Sequence, residues 1–277
     1  MRKPYFIWAP PFDNASGGIV VMHRMAVELQ KSGECVYINT PVQNKKRDMV
    51  LVMEDGIPRS IAVYPEIIQG NPFGAETVVC YLLNIPGVCG GPSSINDYEK
   101  TDFFYIYDRL FNSKIGLPEE NILHCPHIDL DVFYDKHLPR VGRAVYRGKG
   151  KQPDHPLANY PLIGGKESFR GDEGQARLCE LLNRCSLLYV YDPATAITDI
   201  ARLCGCPVVI IPDGSYTKEE YQQHEFYAAG GVGWGVEEAA IARATIDGEK
   251  MRQFYIEAEE IFQGKLTKFI EVTQNGK

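Results

Sequence analysis

Two stretches of this chain carry residue types that could hold an anion. Asp192-Pro193 follows the apolar run Leu187 to Tyr191, and beyond Thr195 the apolar residues Ile197, Ile200, Ala201 and Cys204 recur at helical spacing until Gly205. Aspartate is a preferred helix cap, and proline suits the first helical position. The pattern therefore predicts strand, turn and helix, with the first free amides of the helix at Thr195 and Ala196 beside the strand's carboxyl end. Such amides favour a negative group. Upstream, Arg143 to Arg147 reads as a strand that runs into Gly148-Lys149-Gly150-Lys151. A lysine between glycines can present its ammonium to a phosphate with little steric hindrance. Lys149 is the leading candidate for that contact, with Arg147 and Lys151 as neighbours.

Other candidates are more isolated. Gly17-Gly18 stands at the mouth of a strand–loop–helix unit, where glycine lets a ligand approach the backbone. Glu66 sits just past a short apolar run, beside Pro65, where a carboxylate could act in a cleft. His124-Cys125-Pro126-His127 invites a metal reading, but no second ligand pair has suitable spacing, so no metal centre is expected. The phosphate-loop string GxxxxGK[ST] is absent.

The elements that must position these residues alternate strand and helix. Tyr5 to Ala9 reads as the first strand, followed by a helix from about Gly18 to Lys31 that Ser16 caps and Gly33 ends. Cys35 to Asn39, Met49 to Met53, Ile61 to Tyr64 and Phe103 to Tyr107 have strand character. In the second half, Pro161 to Gly165 reads as a strand and its turn, and Arg177 to Arg184 as an amphipathic helix. Val208 to Ile211, apolar on both faces, suits a parallel strand covered from both sides. The glycine-rich run Tyr227 to Gly235 predicts a buried turn leading into a helix over 236–244. Apolar residues from Met251 to Ile270 mark a long last helix.

Composition sets the limits. The chain has 277 residues, 44% of them hydrophobic and 23% charged, as in ordinary globular proteins. A net charge of −7 argues against general nucleic-acid binding, which draws its affinity from dense Lys and Arg. The eight cysteines form no CxxC pair, and several fall inside apolar patterns, so reduced buried thiols are expected. The N-terminal apolar run is too short for a signal peptide, and no window approaches a membrane span.

The end of the opening stretch, Cys204-Gly205-Cys206-Pro207-Val208-Val209, resembles the donor-binding motif of GT-B glycosyltransferases, especially the family 4-like group of bacterial surface-polysaccharide type. In that alignment Asp192 falls at the first motif glutamate, and Ile200 at the second, which holds the nucleotide ribose. Gly17-Gly18 matches the loop that lies over the donor, and Ile128 to Phe133 is similar to the interdomain connection, so its Asp129-Leu130-Asp131 is not read as a metal motif. Tyr64-Pro65-Glu66, Gly70-Asn71-Pro72 and Leu82 to Gly87 resemble segments of bacterial glycosyltransferase-like proteins.

The resemblance implies an α/β, GT-B-like protein of two Rossmann-like domains facing across a cleft. Residues 1–138 would form the acceptor-side domain and 139–277 the nucleotide-sugar-binding domain, the last helix crossing back. It implies a hexosyl- or related glycosyltransferase, retaining in outcome, with Asp192 as a catalytic residue. Glu66 is the second catalytic candidate, on its position past a strand rather than on the resemblance. Gly17, Gly18, Arg147, Lys149, Lys151, Gly165, Thr195 and Ala196 would bind the donor, Gly165 lying on the loop that faces the base. A nucleotide-sugar is the co-substrate, a glycan or glycolipid the acceptor, and no cofactor or metal is expected. The setting implied is cytoplasmic, with peripheral contact at the inner membrane face admitted. The rival expectation is a catalytically silent GT-B-like module that binds a nucleotide, glycan or partner protein, and Ile200 is the residue that favours it. A nucleotide-sugar epimerase of the same fold has no specific pattern in its support.

Overall fold

A computed structural model describes residues 2–40, 59–149, 157, 160–244 and 247–276. The strand expected over 49–53 and the candidate Lys151 lie outside them. The chain packs as two compact units, one of residues 1–127 with 258–277 and the other of 128–257.

The first unit holds a parallel sheet of β1 (Tyr5–Ile7), β2 (Val36–Ile38), β3 (Ile61–Pro65), β4 (Thr77–Leu82) and β5 (Phe103–Ile106), in the order β2-β1-β3-β4-β5. Every residue of β3 and β4 is buried, as parallel strands covered on both faces must be. Helix α1 (Gly17–Lys31) buries Met22, Met25, Ala26 and Leu29, a stripe at helical spacing, against Tyr5, Ile7, Val63 and Val79. Gly33, at φ +85°, turns the chain out of that helix in a conformation that a side chain would resist. The short helix α2 (Arg109–Ile115) follows β5 and is capped by Asp108.

The C-terminal helix closes this core. Phe262, Leu266, Phe269 and Ile270 pack among the same residues, each burial stabilising by about 1.5–3 kcal/mol. Tyr5 and Thr273 share a hydroxyl hydrogen bond of 2.6 Å, and the Gln274 amide pairs with both backbone groups of Lys3 at 2.9 Å. Strand β1 is thus fixed by residues from the far end of the chain.

The second unit holds β6 (Arg143–Tyr146), β7 (Leu187–Val190), β8 (Val208–Ile210) and β9 (Val232–Trp234), all parallel and in chain order. The intervening helices are α3 (Gly171–Arg184), α4 (Ile197–Leu203) and α5 (Lys218–Tyr221); α6 (Glu238–Arg243) and α7 (Gly248–Asn275) follow. Three expectations need correction here. Helix α4 begins at Ile197 rather than Thr195, because Asp192 spends one carboxylate oxygen on the amide of Ala194 (3.1 Å) in a local turn instead of capping the helix. Pro161 to Gly165 contributes one parallel bridge, Leu162 to Val145, rather than a full strand. The glycine-rich run contains strand β9. Its Gly233 is needed for close packing, since a Cβ there would lie 2.1 Å from the carbonyl oxygen of Ala240 in α6.

Arg202, wholly buried on α4, anchors the turn that leads into β9. Its guanidinium donates to the carbonyls of Phe226 (2.8 Å) and Gly230 (3.0 Å) and to Asp199 Oδ1 (2.5 Å). Removing the buried carboxylate would strand that charge, at a cost of several kcal/mol. All eight cysteines are free thiols, six of them buried.

Candidate functional site

In the second unit the candidates collect where β6 and β7 end, the edge at which open α/β sheets take ligands. Asp192 follows β7 and is 5% exposed. Its Oδ2 accepts from the backbone amide of Lys149 at 2.9 Å and its Oδ1 from that of Ala194. Gly148 lies between Arg147 and Lys149 at φ +55°, and a Cβ on it would fall 2.6 Å from Asp192 Oδ2. Only glycine allows the β6 turn to approach so closely. The side chains of Arg147 and Lys149 stand exposed on that turn.

Thr195 belongs to the same group, because its side chain lies beside the Tyr146 phenol. Burial pushes that phenol's pKa up, the Thr195 hydroxyl opposes the shift, and the nearby Asp192 charge adds to it. Burial likewise raises Tyr191, against the pull of the Arg147 charge. Ala196 immediately precedes α4. Gly165 lies three residues past Leu162, which pairs with Val145 of β6, and this parallel register carries it to the same edge. Structure therefore brings together Arg147, Lys149, Asp192 and Thr195, with Ala196 and Gly165 at their margin.

In the first unit the structure brings together Gly17, Gly18 and Glu66. Gly17 opens α1, whose first turn holds no acidic residue and whose N-cap, Ser16, makes no side-chain capping bond. A Cβ on Gly17 would sit 3.0 Å from His127 Nε2, and one on Gly18 would sit 3.5 Å from Leu83 Cδ1. Glu66, 4% exposed, follows β3 and accepts from the Leu83 amide at 3.0 Å through Oε2. Its carbonyl accepts from the Tyr98 hydroxyl at 2.6 Å. Burial first, and the Glu66 charge second, push the neighbouring Cys80 thiol up. Glu66 is thus embedded beneath the strand ends, where it joins β3 to the end of β4.

Two residues at this edge, His127 and Tyr107, are not among the candidates that the sequence suggests for the donor site. Half-buried His127 shares a 3.0 Å hydrogen bond between Nδ1 and the Tyr107 hydroxyl. The Tyr107 ring lies 4.5 Å from that of His124, whose Nδ1 is 3.6 Å from Asp108 Oδ2. The sequence signal for His127 lies in His124-Cys125-Pro126-His127. Among the described residues no three His, Cys, Asp or Glu side chains are grouped to hold a metal ion.

A hollow of about 360 Å³ also occurs in the second unit, lined in part by Asp131, Asp135, Leu203, Glu249 and Arg252. Leu203 is the last residue of α4, so this hollow lies at the end of the helix opposite Thr195 and is separate from the Asp192 group. Among the described residues no helix is long and apolar enough to cross a membrane.

Two units, each a parallel sheet with connecting helices, define an α/β fold of the GT-B glycosyltransferase kind. Among solved structures the chain is similar to sucrose-phosphate synthase from Thermosynechococcus elongatus, with a TM-score of 0.58 at 12% identity, covering 98% of both chains. AviGT4, a glycosyltransferase involved in avilamycin A biosynthesis, aligns with a TM-score of 0.49 at 13% identity, over 98% of both chains. WaaG, a glycosyltransferase involved in lipopolysaccharide biosynthesis, aligns with a TM-score of 0.48 at 12% identity, over 98% of this chain and 100% of that one. At such identities the likeness concerns the fold alone. Neither a protein-family model nor a curated protein sequence matches the chain.

Proposed function

We propose that this protein transfers a hexosyl or related sugar from a nucleotide-sugar to a glycan or glycolipid acceptor, without a metal ion. One observation carries the reading. Two exposed cations, Arg147 and Lys149, stand on a turn that Asp192 fixes to the end of the adjacent strand. A nucleoside diphosphate leaves with growing negative charge, and preorganised cations at that point lower the barrier. Asp192 serves by holding the turn, since both of its oxygens already accept backbone amides. Glu66, similarly buried and bonded, keeps the Leu83 loop in place below Gly18. Gly17, Gly18, Gly165, Thr195 and Ala196 leave room for the donor at their respective sheet edges. Lys151 belongs to the proposal on its place in the sequence. The resemblance supplies retention of anomeric configuration, which the product's proton spectrum tests, and a cytoplasmic setting with acceptors at the membrane's inner face.

A thermal-shift panel of nucleotide-sugars, followed by assay of released nucleoside diphosphate with and without EDTA, tests the proposal. Donors should raise the melting temperature by linkage, and release should survive chelation. Release that vanishes with EDTA and returns with Mg²⁺ or Mn²⁺ contradicts metal independence. Binding without release favours a silent GT-B-like module, the reading that Ile200 supports by standing where the family holds its ribose-binding glutamate.

A further inference from the structure

We propose that Cys179 and Cys204 form a reversible disulfide when a peroxide oxidises them, locking the end of α4 to α3 in the second unit. The disulfide is independent of the sugar-transfer reading. Cys179 lies on α3, and Cys204 follows Leu203, the last residue of α4. Their sulfurs are 3.9 Å apart, although 25 positions separate the residues in the chain. Two thiols in contact need only a small rotation of their side chains to bond. The backbone on both sides is already fixed. Arg140 donates to the Cys204 carbonyl at 2.6 Å, and α3 continues past Cys179 to Arg184. Among the described residues these cysteines belong to no group that could hold a metal ion.

The two sulfurs differ in kind. Cys179 accepts from the Cys204 thiol, and the Asn183 side-chain amide lies 3.4 Å from the same sulfur. That amide is held in place by the carbonyls of Tyr134 and Cys179, each at 3.0 Å. A sulfur that meets two donors carries negative charge more readily, and the thiolate is the form that attacks an oxidant. The Cys204 bond, then the Tyr134 backbone, the Lys136 charge and Asn183, outweigh burial and pull the Cys179 thiol down to about 6. The same bond, followed by burial, pushes the Cys204 thiol up. A second pair, Cys185 and Cys206, lies side by side, and Cys206 brings Cys185 down less far, to about 7. Its thiols donate instead to the carbonyls of Leu187 (3.1 Å) and Pro207 (3.6 Å). Cys179 is therefore the attacking sulfur and Cys204 its resolving partner.

In the first step the Cys179 thiolate attacks one oxygen of hydrogen peroxide. A sulfur–oxygen bond forms, the oxygen–oxygen bond breaks, and the departing hydroxide takes a proton from solvent to become water. The Cys204 sulfur then attacks Cys179, and the sulfur–sulfur bond forms as the sulfur–oxygen bond breaks. The second water leaves with the Cys204 proton. Two thiols lose two electrons, and the peroxide is reduced to two waters. Both thiols are almost wholly buried, so a small uncharged peroxide reaches them only through local opening, and the oxidation is slow. A thiol reductant reverses it by exchange. The crosslink restricts the unfolded chain and so stabilises this unit.

The test treats the full chain with hydrogen peroxide, alkylates it in denaturant and maps its tryptic peptides. Cleavage at Arg184 and Arg202 puts Cys179, Cys185 and the Cys204-Gly205-Cys206 segment on three separate peptides. The Cys179 and Cys204 peptides should appear joined and lighter by two hydrogens, and dithiothreitol should restore both. Tm of the oxidised protein should rise by about 5–10 °C. Cys206→Ser should keep the crosslink. Cys204→Ser should lose it and leave Cys179 as a sulfenic acid that dimedone labels. If Cys204→Ser fails to fold, fragmentation of the joined parent peptide distinguishes Cys204 from Cys206. Peroxide that modifies the exposed Cys35 and Cys89 while Cys179 and Cys204 stay open to alkylation overturns the proposal. So does a link from Cys179 to any sulfur other than that of Cys204, or a crosslinked protein that melts no higher than the reduced one. None of these measurements involves a sugar donor, so the outcome stands whether or not the transfer reading does.

Discussion

The backbone amide of Lys149 donates to Asp192 Oδ2 at 2.9 Å, joining residues 43 positions apart in the chain. The bond ties the turn after β6 to the turn after β7 and so sets where the Lys149 side chain begins. The acidic residue thereby acquires a physical role before any chemistry is invoked. Its negative charge is stabilised by amides that would otherwise need water, and a basic turn is built upon it.

Asp192→Ala should leave the amides of Lys149 and Ala194 without their acceptor, costing about 1–3 kcal/mol. For a chain of this size that is roughly 2–4 °C in Tm per kcal/mol. Gly148→Ala should act similarly, through a strained φ of +55° and the approach to Asp192. Both should also weaken UDP binding in calorimetry. An Asp192→Ala protein with the parent's Tm and UDP affinity would remove the role assigned to this bond.

Lys149→Ala should separate diphosphate from nucleoside recognition. A charge-assisted hydrogen bond is worth about 1.5–3 kcal/mol, so the Kd for UDP should rise about 10- to 150-fold while that for uridine stays level. Equal UDP affinities in mutant and parent would take Lys149 out of the site.

Ile200 differs from its helical neighbours. Ile197, Ala201 and Cys204 are 5%, 0% and 0% exposed, whereas Ile200 is only half-buried. A glutamate there keeps contact with water, so Ile200→Glu should change stability by less than about 1 kcal/mol. If position 200 faces the ribose as the resemblance implies, UDP should bind roughly tenfold more tightly through the added hydrogen bonds. A large drop in Tm with no gain in affinity would show that this side chain is core.

The tyrosines of the first unit should govern its alkaline limit. Burial raises the phenols of Tyr5, Tyr64, Tyr81 and Tyr98 above their ordinary value of 10.0, Tyr64 to about 12. The folded state therefore favours the neutral phenol. Its contribution is complete below the unfolded value near 10 and is lost as pH rises through the folded values. Phenolate absorbance should then lag behind ordinary tyrosine and appear together with loss of far-UV circular dichroism. Full ionisation in a protein whose dichroism stays native would contradict this.

What the sequence by itself determined is local and periodic. Met22, Met25, Ala26 and Leu29 mark α1 because a helix must bury one stripe, and Val208 to Ile211 marks β8 because a covered parallel strand is apolar on both faces. Gly33 and Gly205 could be read as stops because they take φ values of +85° and +70° that other residues resist. The repetition of these units pointed to an α/β chain, the resemblance implied its division in two, and the basic turn at Arg147 to Lys149 was legible because glycine beside lysine is a local signal. The tertiary structure decided what depends on proximity between distant residues. It buried Glu66 under Leu83, made Gly233 a packing residue in β9 rather than a turn, and bound Asp192 to the amide of Lys149. It also set His127 between Gly17 and Tyr107, since three chain segments reach that edge only when the sheet has formed. Spacing along a chain records helix and strand periods, but a hydrogen bond across 20 residues leaves no period to read.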